Sequence, residues 1–245
     1  MRNAELLPFD RAFLTKAAAA VGFPLTPEQT DRLAAYYDFL TEYNQKVNLT
    51  AVTDPHGVAV THFADSLTLL RADLPKGARI ADIGAGAGFP SVPVAVYRPD
   101  LSWTLIDSLG KRVTFLRQLS EKIGVPYEAL HLRAEEAGRQ ARLREQFDAV
   151  CARGVARLYL LCEYALPLLK VGGRLIAMKG PDPQEEIAQA AYAAEKLGGA
   201  FERVDTFSLP DGSGRSLVIF QKTSTTPAQF PRVSAKIAKN PLILP

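Results

Sequence analysis

Asp82-Ile83-Gly84-Ala85-Gly86-Ala87-Gly88-Phe89-Pro90 is the stretch that decides the fold. A short apolar run over 79–83 leads into it and reads as a strand. An apolar segment follows it and reads as a helix, with Pro90 and Pro93 tolerable in the first turn. Without Cβ atoms the glycines let the chain turn sharply and let a ligand come close. Strand, glycine turn and helix in that order form one unit of a parallel α/β sheet. Toward the C-terminus the alternation continues. Strands are predicted over 102–106, 127–132, 147–152 and 174–179, and helices over 111–123, 134–143, 157–169 and 184–197. Two last strands, 201–207 and 216–222, flank Pro210-Asp211-Gly212-Ser213-Gly214. A loop that short permits only an antiparallel hairpin. The expectation is an α/β fold: a seven-stranded, mostly parallel sheet with one antiparallel strand near its edge.

Toward the N-terminus the pattern is helical. A helix is expected over 9–21. Thr26-Pro27-Glu28-Gln29 is a helix start, in which Thr26 caps, Pro27 takes the first helical position and Gln29 closes a capping box. Leu33, Tyr36, Tyr37 and Leu40 then follow at helical spacing, which favours core packing for two of the tyrosines Tyr36, Tyr37 and Tyr43 over base stacking. A third helix is expected over 58–72. The chain thus divides into an N-terminal helical extension (1–76), an α/β core (77–222) and an irregular tail (223–245).

The 245 residues are 47% hydrophobic and 22% charged, which excludes a disordered chain, a collagen-like fibre and a disulfide scaffold. No window approaches 18 consecutive apolar residues, and the first residues lack the apolar core of a signal peptide, so a cytoplasmic protein with no membrane partner is expected. Cys151 and Cys162 form no CxxC and no zinc spacing, so no metal is expected. The net charge of +3 is small, but residues 223–245 carry Arg232, Lys236 and Lys239 and no acid. Such a tail can contact phosphate; a solvated terminus is the alternative.

Ligands of open α/β sheets bind beyond the carboxyl ends of the strands, where the glycine turn lies. Asp107, 23 residues after Gly84, ends the next strand, and a carboxylate there can accept both hydroxyl hydrogens of a ribose. A nucleoside site follows. The spacing is G-x-G-x-G with Phe89 where a dinucleotide fingerprint needs glycine, and no G-x-x-x-x-G-K-[ST] is present; this disfavours NAD and excludes a P-loop. The turn, the acid ending the second strand and the terminal hairpin together resemble the class I methyltransferases, a Rossmann-like fold that binds S-adenosylmethionine.

Further motifs narrow the resemblance. Val47-Asn48-Leu49-Thr50, His62-x-x-Asp65-Ser66, Asp82 to Pro90, Asp107-Ser108-Leu109-Gly110-Lys111-Arg112-Val113-x-Phe115-Leu116, Ala152-Arg153-Gly154, Lys179-Gly180 and Phe230-Pro231-Arg232 resemble the bacterial 16S rRNA guanine-N7 methyltransferase family, also called the glucose-inhibited division protein B family. The likeness runs from about residue 28 to the end, and the Asp107 to Leu116 block is its most specific element. After Arg232 the chain departs from the family's Lys-x-Gly-x-Pro pattern.

The resemblance implies methyl transfer from S-adenosylmethionine to N7 of a guanosine in the 530 loop of 16S rRNA, with 16S rRNA or the small ribosomal subunit as partner; a monomer is expected. It implies cofactor contacts at Asp82, Gly84, Gly86, Gly88, Phe89, Asp107, Ala134, Glu135 and Arg153, the last by pairing with the methionine carboxylate. His62, Asp65 and Arg153 are candidates for the catalytic groove, with a helix-internal hydrogen bond the plainer account of the first two. Lys111, Arg112, Lys179, Arg232, Lys236 and Lys239 are candidate RNA contacts. N7 of guanine carries a free lone pair, so the step needs positioning rather than a general base. Cys151 is read as a buried structural cysteine and not a nucleophile, and Cys162 as core. Two alternatives stay open: a class I methyltransferase acting on another RNA or a small molecule, and a non-catalytic nucleoside- or RNA-binding regulator.

Overall fold

A computed structural model describes residues 8–243. Seven strands form one sheet in the order β3-β2-β1-β4-β5-β7-β6. They are β1 (Arg79–Ile83), β2 (Ser102–Asp107), β3 (Glu128–His131), β4 (Phe147–Arg153), β5 (Leu169–Lys179), β6 (Gly199–Ser208) and β7 (Gly214–Lys222). The first five run parallel, and β7 lies antiparallel between β5 and β6. This is the expected seven-stranded sheet, with the antiparallel strand one place in from the edge.

Alternation along the strands splits the core into two layers. Ile80, Leu105, Cys151, Ile176 and Ile219 face one cluster, completed by Leu33, Tyr36, Phe63, Val92 and Phe115. Ala81, Ile106, Val150, Leu175 and Val218 face the other, completed by Leu161, Cys162, Ala190 and Ala193. The N-terminal helices α1 (Arg11–Ala20) and α2 (Pro27–Asn44) therefore pack on the first face, together with the helix Gly110–Ile123. The capping box forms as expected: the Gln29 amide donates to Thr26 Oγ1 and the Thr26 amide to Gln29 Oε1. Tyr36 and Tyr37 are buried.

Four expectations need correction. The third helix is composite, running from Pro55–Gly57 through a π-helical Val58–Ala64 to a 3-10 Thr68–Ala72. The helix expected over 134–143 closes after Ala134–Ala137, because Gly138 follows and lies against the rings of Pro231 and Pro167. The helix expected over 157–169 is Leu158–Ala165 with a 3-10 turn Leu166–Leu168. Pro167 cannot donate a helical hydrogen bond, and Leu169 already pairs in β5, five residues before that strand was expected to start. The tail is not wholly irregular: Ser234–Lys239 is helical, and Ile237 is buried beneath it.

Candidate functional site

The carboxyl ends of β1, β2, β4 and β5 meet at one edge of the sheet. Because β7 runs the other way, its beginning reaches the same edge, with Ser216 opposite Lys179. Sequence positions from 62 to 215 are gathered there.

The glycine turn sits at the end of β1. Gly84 has φ +70°, and a Cβ on it would stand 2.6 Å from Val155 Cγ2, so only glycine fits that close approach. The Gly86 amide donates to Asp107 Oδ2 at 2.9 Å, and the Leu109 amide donates to Oδ1 at 2.8 Å. Arg112 Nη1 lies 3.5 Å from the same Oδ2. Asp107 is thus held in place at the mouth of the turn. Each oxygen keeps a further lone-pair direction for a ligand hydroxyl.

Asp82, also expected at this site, is fully buried beneath the turn, and neither of its oxygens has a hydrogen-bond partner among the described residues. Burial pushes its carboxyl up to about 7; the nearby Ser91 and Arg153 oppose the rise. An orphaned buried acid beside a glycine turn fits a ligand that carries an amino group and positive charge.

Two cavities flank the turn. One of 360 Å³ is lined by Gly84, Ser108, Ala134, Glu135, Val155 and Ser234. The other, a groove of 820 Å³, is lined by His62, Asp65, Arg153, Lys179, Glu186 and Arg215 among others. Asp65 organises the groove. Its Oδ2 accepts from Arg153 Nη1 at 2.7 Å and its Oδ1 from Arg215 Nε at 3.2 Å. Arg153 Nη1 also donates to the Thr61 carbonyl at 3.0 Å, and the guanidinium lies 5.2 Å over the Phe89 ring. Lys179 Nζ donates to Glu186 Oε2 at 2.7 Å and to the Ala156 carbonyl at 2.9 Å.

Phe89 is buried in an aromatic cluster, stacking with Tyr36 at 5.3 Å and with His62 at 4.5 Å. The Tyr36 hydroxyl donates to the Ala87 carbonyl and so ties α2 to the turn. His62 Nε2 lies 2.8 Å from Thr50 Oγ1 and Nδ1 lies 3.1 Å from the Thr61 carbonyl. Burial, helped by Arg153, lowers the imidazole to about 4.

The six candidate RNA contacts divide. Lys111, Lys236 and Lys239 are exposed. Arg112 leans on Asp107, Lys179 on Glu186 and Arg232 on the buried Glu163. Cys151 is buried beside Asp82, and both effects push its thiol well above the ordinary value; Cys162 is raised by burial alone. Neither is a nucleophile in that state. Sequence reasoning missed Arg215 and Glu163. Neither sits in a motif, and only the hairpin's place beside β5 and the tail's return across the Leu158–Ala165 helix bring them into play.

Among the described residues no helix is long and apolar enough to cross a membrane. Comparison with known proteins agrees with this geometry. The family described as rRNA small subunit methyltransferase G (GidB) matches residues 29–215. A protein of Lactobacillus johnsonii named ribosomal RNA small subunit methyltransferase G is 47% identical over 93% of this chain and 97% of its own. One of the same name from Desulforamulus reducens is 44% identical over 94% and 97%. A solved structure from Pyrococcus horikoshii, PH0793, provisionally a transferase, shares the fold alone, with a TM-score of 0.51 at 16% identity over 66% of this chain and 63% of that one. An Asp107 held by the glycine turn, an orphaned acid beneath it and relatives matched along nearly their whole length lead to one assignment: the chain belongs to the rRNA small subunit methyltransferase G family.

Proposed function

We propose that the protein transfers the methyl group of S-adenosylmethionine to N7 of a guanosine in the 530 loop of 16S rRNA. The observation that carries the reading is Asp107, clamped by the Gly86 and Leu109 amides with a lone pair left on each oxygen. Asp107 would hold the ribose hydroxyls, and Ala134 and Glu135 would line the adenine side. Asp82 would face the amino group of the methionine part, with Gly84, Gly86 and Gly88 giving the backbone room. When bound, S-adenosylmethionine supplies an electrophilic sulfonium methyl.

The protein's own residues then have a positioning task. N7 of guanine already carries its lone pair, so no proton need leave before attack. His62 fits that economy, since it is neutral and its nitrogens are engaged inside the protein. The groove beside the turn would receive the guanosine, with Arg153 and Arg215 fixed by Asp65 as its cationic wall. Bringing N7 in line with the methyl can supply most of the acceleration, because well-oriented reactants gain on the order of 10⁵ M or more in effective molarity. Lys111, Lys236 and Lys239 would meet phosphates. In this reading the N-terminal helices cap the sheet, residues 77–222 carry the chemistry, and the basic tail approaches the RNA through Lys236 and Lys239. The enzyme works as a monomer in the cytoplasm.

The test uses tritiated S-adenosylmethionine and small subunits from cells lacking their own enzyme of this type. Label at one N7-methylguanosine in the 530 loop is the expected result. Absence of label, with the cofactor bound in calorimetry, would overturn the substrate and leave a methyltransferase for another RNA or a small molecule. Naked 16S rRNA run in parallel shows which form is the substrate.

A further inference from the structure

The basic tail invites the assignment of Arg232 to an RNA phosphate, but the fold turns that residue inward. Glu163, on the helix Leu158–Ala165, is 1% exposed. Arg232 meets it three times: the amide and Nε donate to Oε1 at 2.9 and 2.8 Å, and Nη2 donates to Oε2 at 2.7 Å. Arg232 Nη1 donates to the Asn240 carbonyl at 2.8 Å and closes the tail on itself. Upstream, Arg144 donates to the carbonyls of Phe230 and Thr226, both at 2.7 Å. Taking Arg232 away to a phosphate would strand a buried carboxylate without its partner, a strongly unfavourable exchange.

Two residues beyond Arg232, Ser234 lines the same cavity as Ala134, Glu135 and Val155. Val233 stands exposed between them. The tail therefore forms part of a wall that the α/β core leaves incomplete.

We infer that Arg232 is a positioning residue of the cofactor pocket. Locked onto Glu163, it holds Ser234 against the adenine side, so the C-terminal segment takes part in recognising S-adenosylmethionine. The inference rests on the proposed reading that adenine enters this cavity. The RNA contacts of the tail then fall to Lys236 and Lys239, which lie exposed on the Ser234–Lys239 helix. One short segment carries two separable tasks.

The experiment compares Arg232→Gln, Ser234→Leu and the double variant Lys236→Ala with Lys239→Ala in the full-length protein. S-adenosylhomocysteine affinity is read by calorimetry, and KM and kcat are measured with small subunits. The salt dependence of rRNA binding and the melting temperature complete the set. Arg232→Gln should weaken S-adenosylhomocysteine about tenfold, the worth of one hydrogen-bonded contact, and raise the KM for S-adenosylmethionine while kcat at saturation stays near wild type. Ser234→Leu should do the same with an unchanged melting temperature, which separates pocket shape from stability. If Arg232→Gln does not fold, Ser234→Leu carries the test alone. The lysine pair should lower the salt slope and leave S-adenosylhomocysteine affinity intact. Wild-type S-adenosylhomocysteine affinity in Ser234→Leu would overturn the proposal. So would an Arg232→Gln protein that binds S-adenosylhomocysteine normally but shows the flattened salt slope. A wild-type protein that binds no S-adenosylhomocysteine at all would instead bring down the underlying methyltransferase reading, and this inference with it.

Discussion

At His62 the hydrogen bonds settle the tautomer. The Thr61 carbonyl can only accept, so Nδ1 carries the hydrogen, and Nε2 accepts from the Thr50 hydroxyl. With the imidazole lowered to about 4, its neutral form prevails above that value. The rate of methyl transfer should therefore show no step assignable to His62 between about pH 6 and pH 8. A pH profile of single-turnover transfer checks this, and a wild-type step in that window that vanishes in His62→Phe would contradict it. Asp82 gives the opposite case. Its folded value, about 7, exceeds the unfolded 3.8, so the folded state holds the proton more tightly across that window. Stability contributed by the neutral acid is full at low pH and is lost as pH rises from about 4 to 7, by up to about 4 kcal/mol. Asp82→Asn should remove the decline, so that it matches wild type near pH 3 and exceeds it near pH 8 in urea unfolding. The acid was legible in the sequence as the opening of a glycine motif. That its oxygens find no hydrogen-bond partner among the described residues was not, because this depends on everything packed above it.

The elements show the same division between local and distant causes. All seven strands and the capping box of α2 could be read in advance, because alternation, turn residues and caps are local signals. The misread helices fail where distant chain intrudes. Gly138 stands where Pro231, far along in sequence, needs room, and Leu169 leaves its helix to pair with Phe147. The turn between β1 and the Ser91–Tyr97 helix is intolerant in a related way. Gly88 has φ +93°, and a Cβ there would lie 2.7 Å from Val92 Cγ2 and 3.0 Å from the Tyr36 hydroxyl oxygen. Gly88→Ala should cost about 2–4 kcal/mol, as left-handed strain adds to overpacking. Chemical denaturation measures it, and a loss below about 0.5 kcal/mol would show that the turn relaxes freely.

Over the whole molecule, the groove is assembled from three parts of the chain. Asp65 comes from the helical N-terminal stretch, Arg153 from the end of β4 and Arg215 from the start of β7. The first two were legible as family motifs. Arg215 was not, since nothing in a hairpin's sequence says which strand it will lie beside. Arg215→Gln should weaken rRNA binding severalfold, by loss of one phosphate-range cation, and leave S-adenosylhomocysteine binding unchanged. Filter binding and calorimetry on the same preparation would show it, and an equal loss of both ligands would place Arg215 at the cofactor instead. The insertion of β7 between β5 and β6 also has a bearing on synthesis. Folding during translation proceeds from the N-terminus, yet the sheet cannot close until its penultimate position is filled by its last strand. A nascent chain that has not yet released residue 215 owns Asp65 and Arg153 but lacks the second cation of the groove. The second cation of the groove is thus among the last features to join the fold during synthesis, arriving with the strand that completes the sheet.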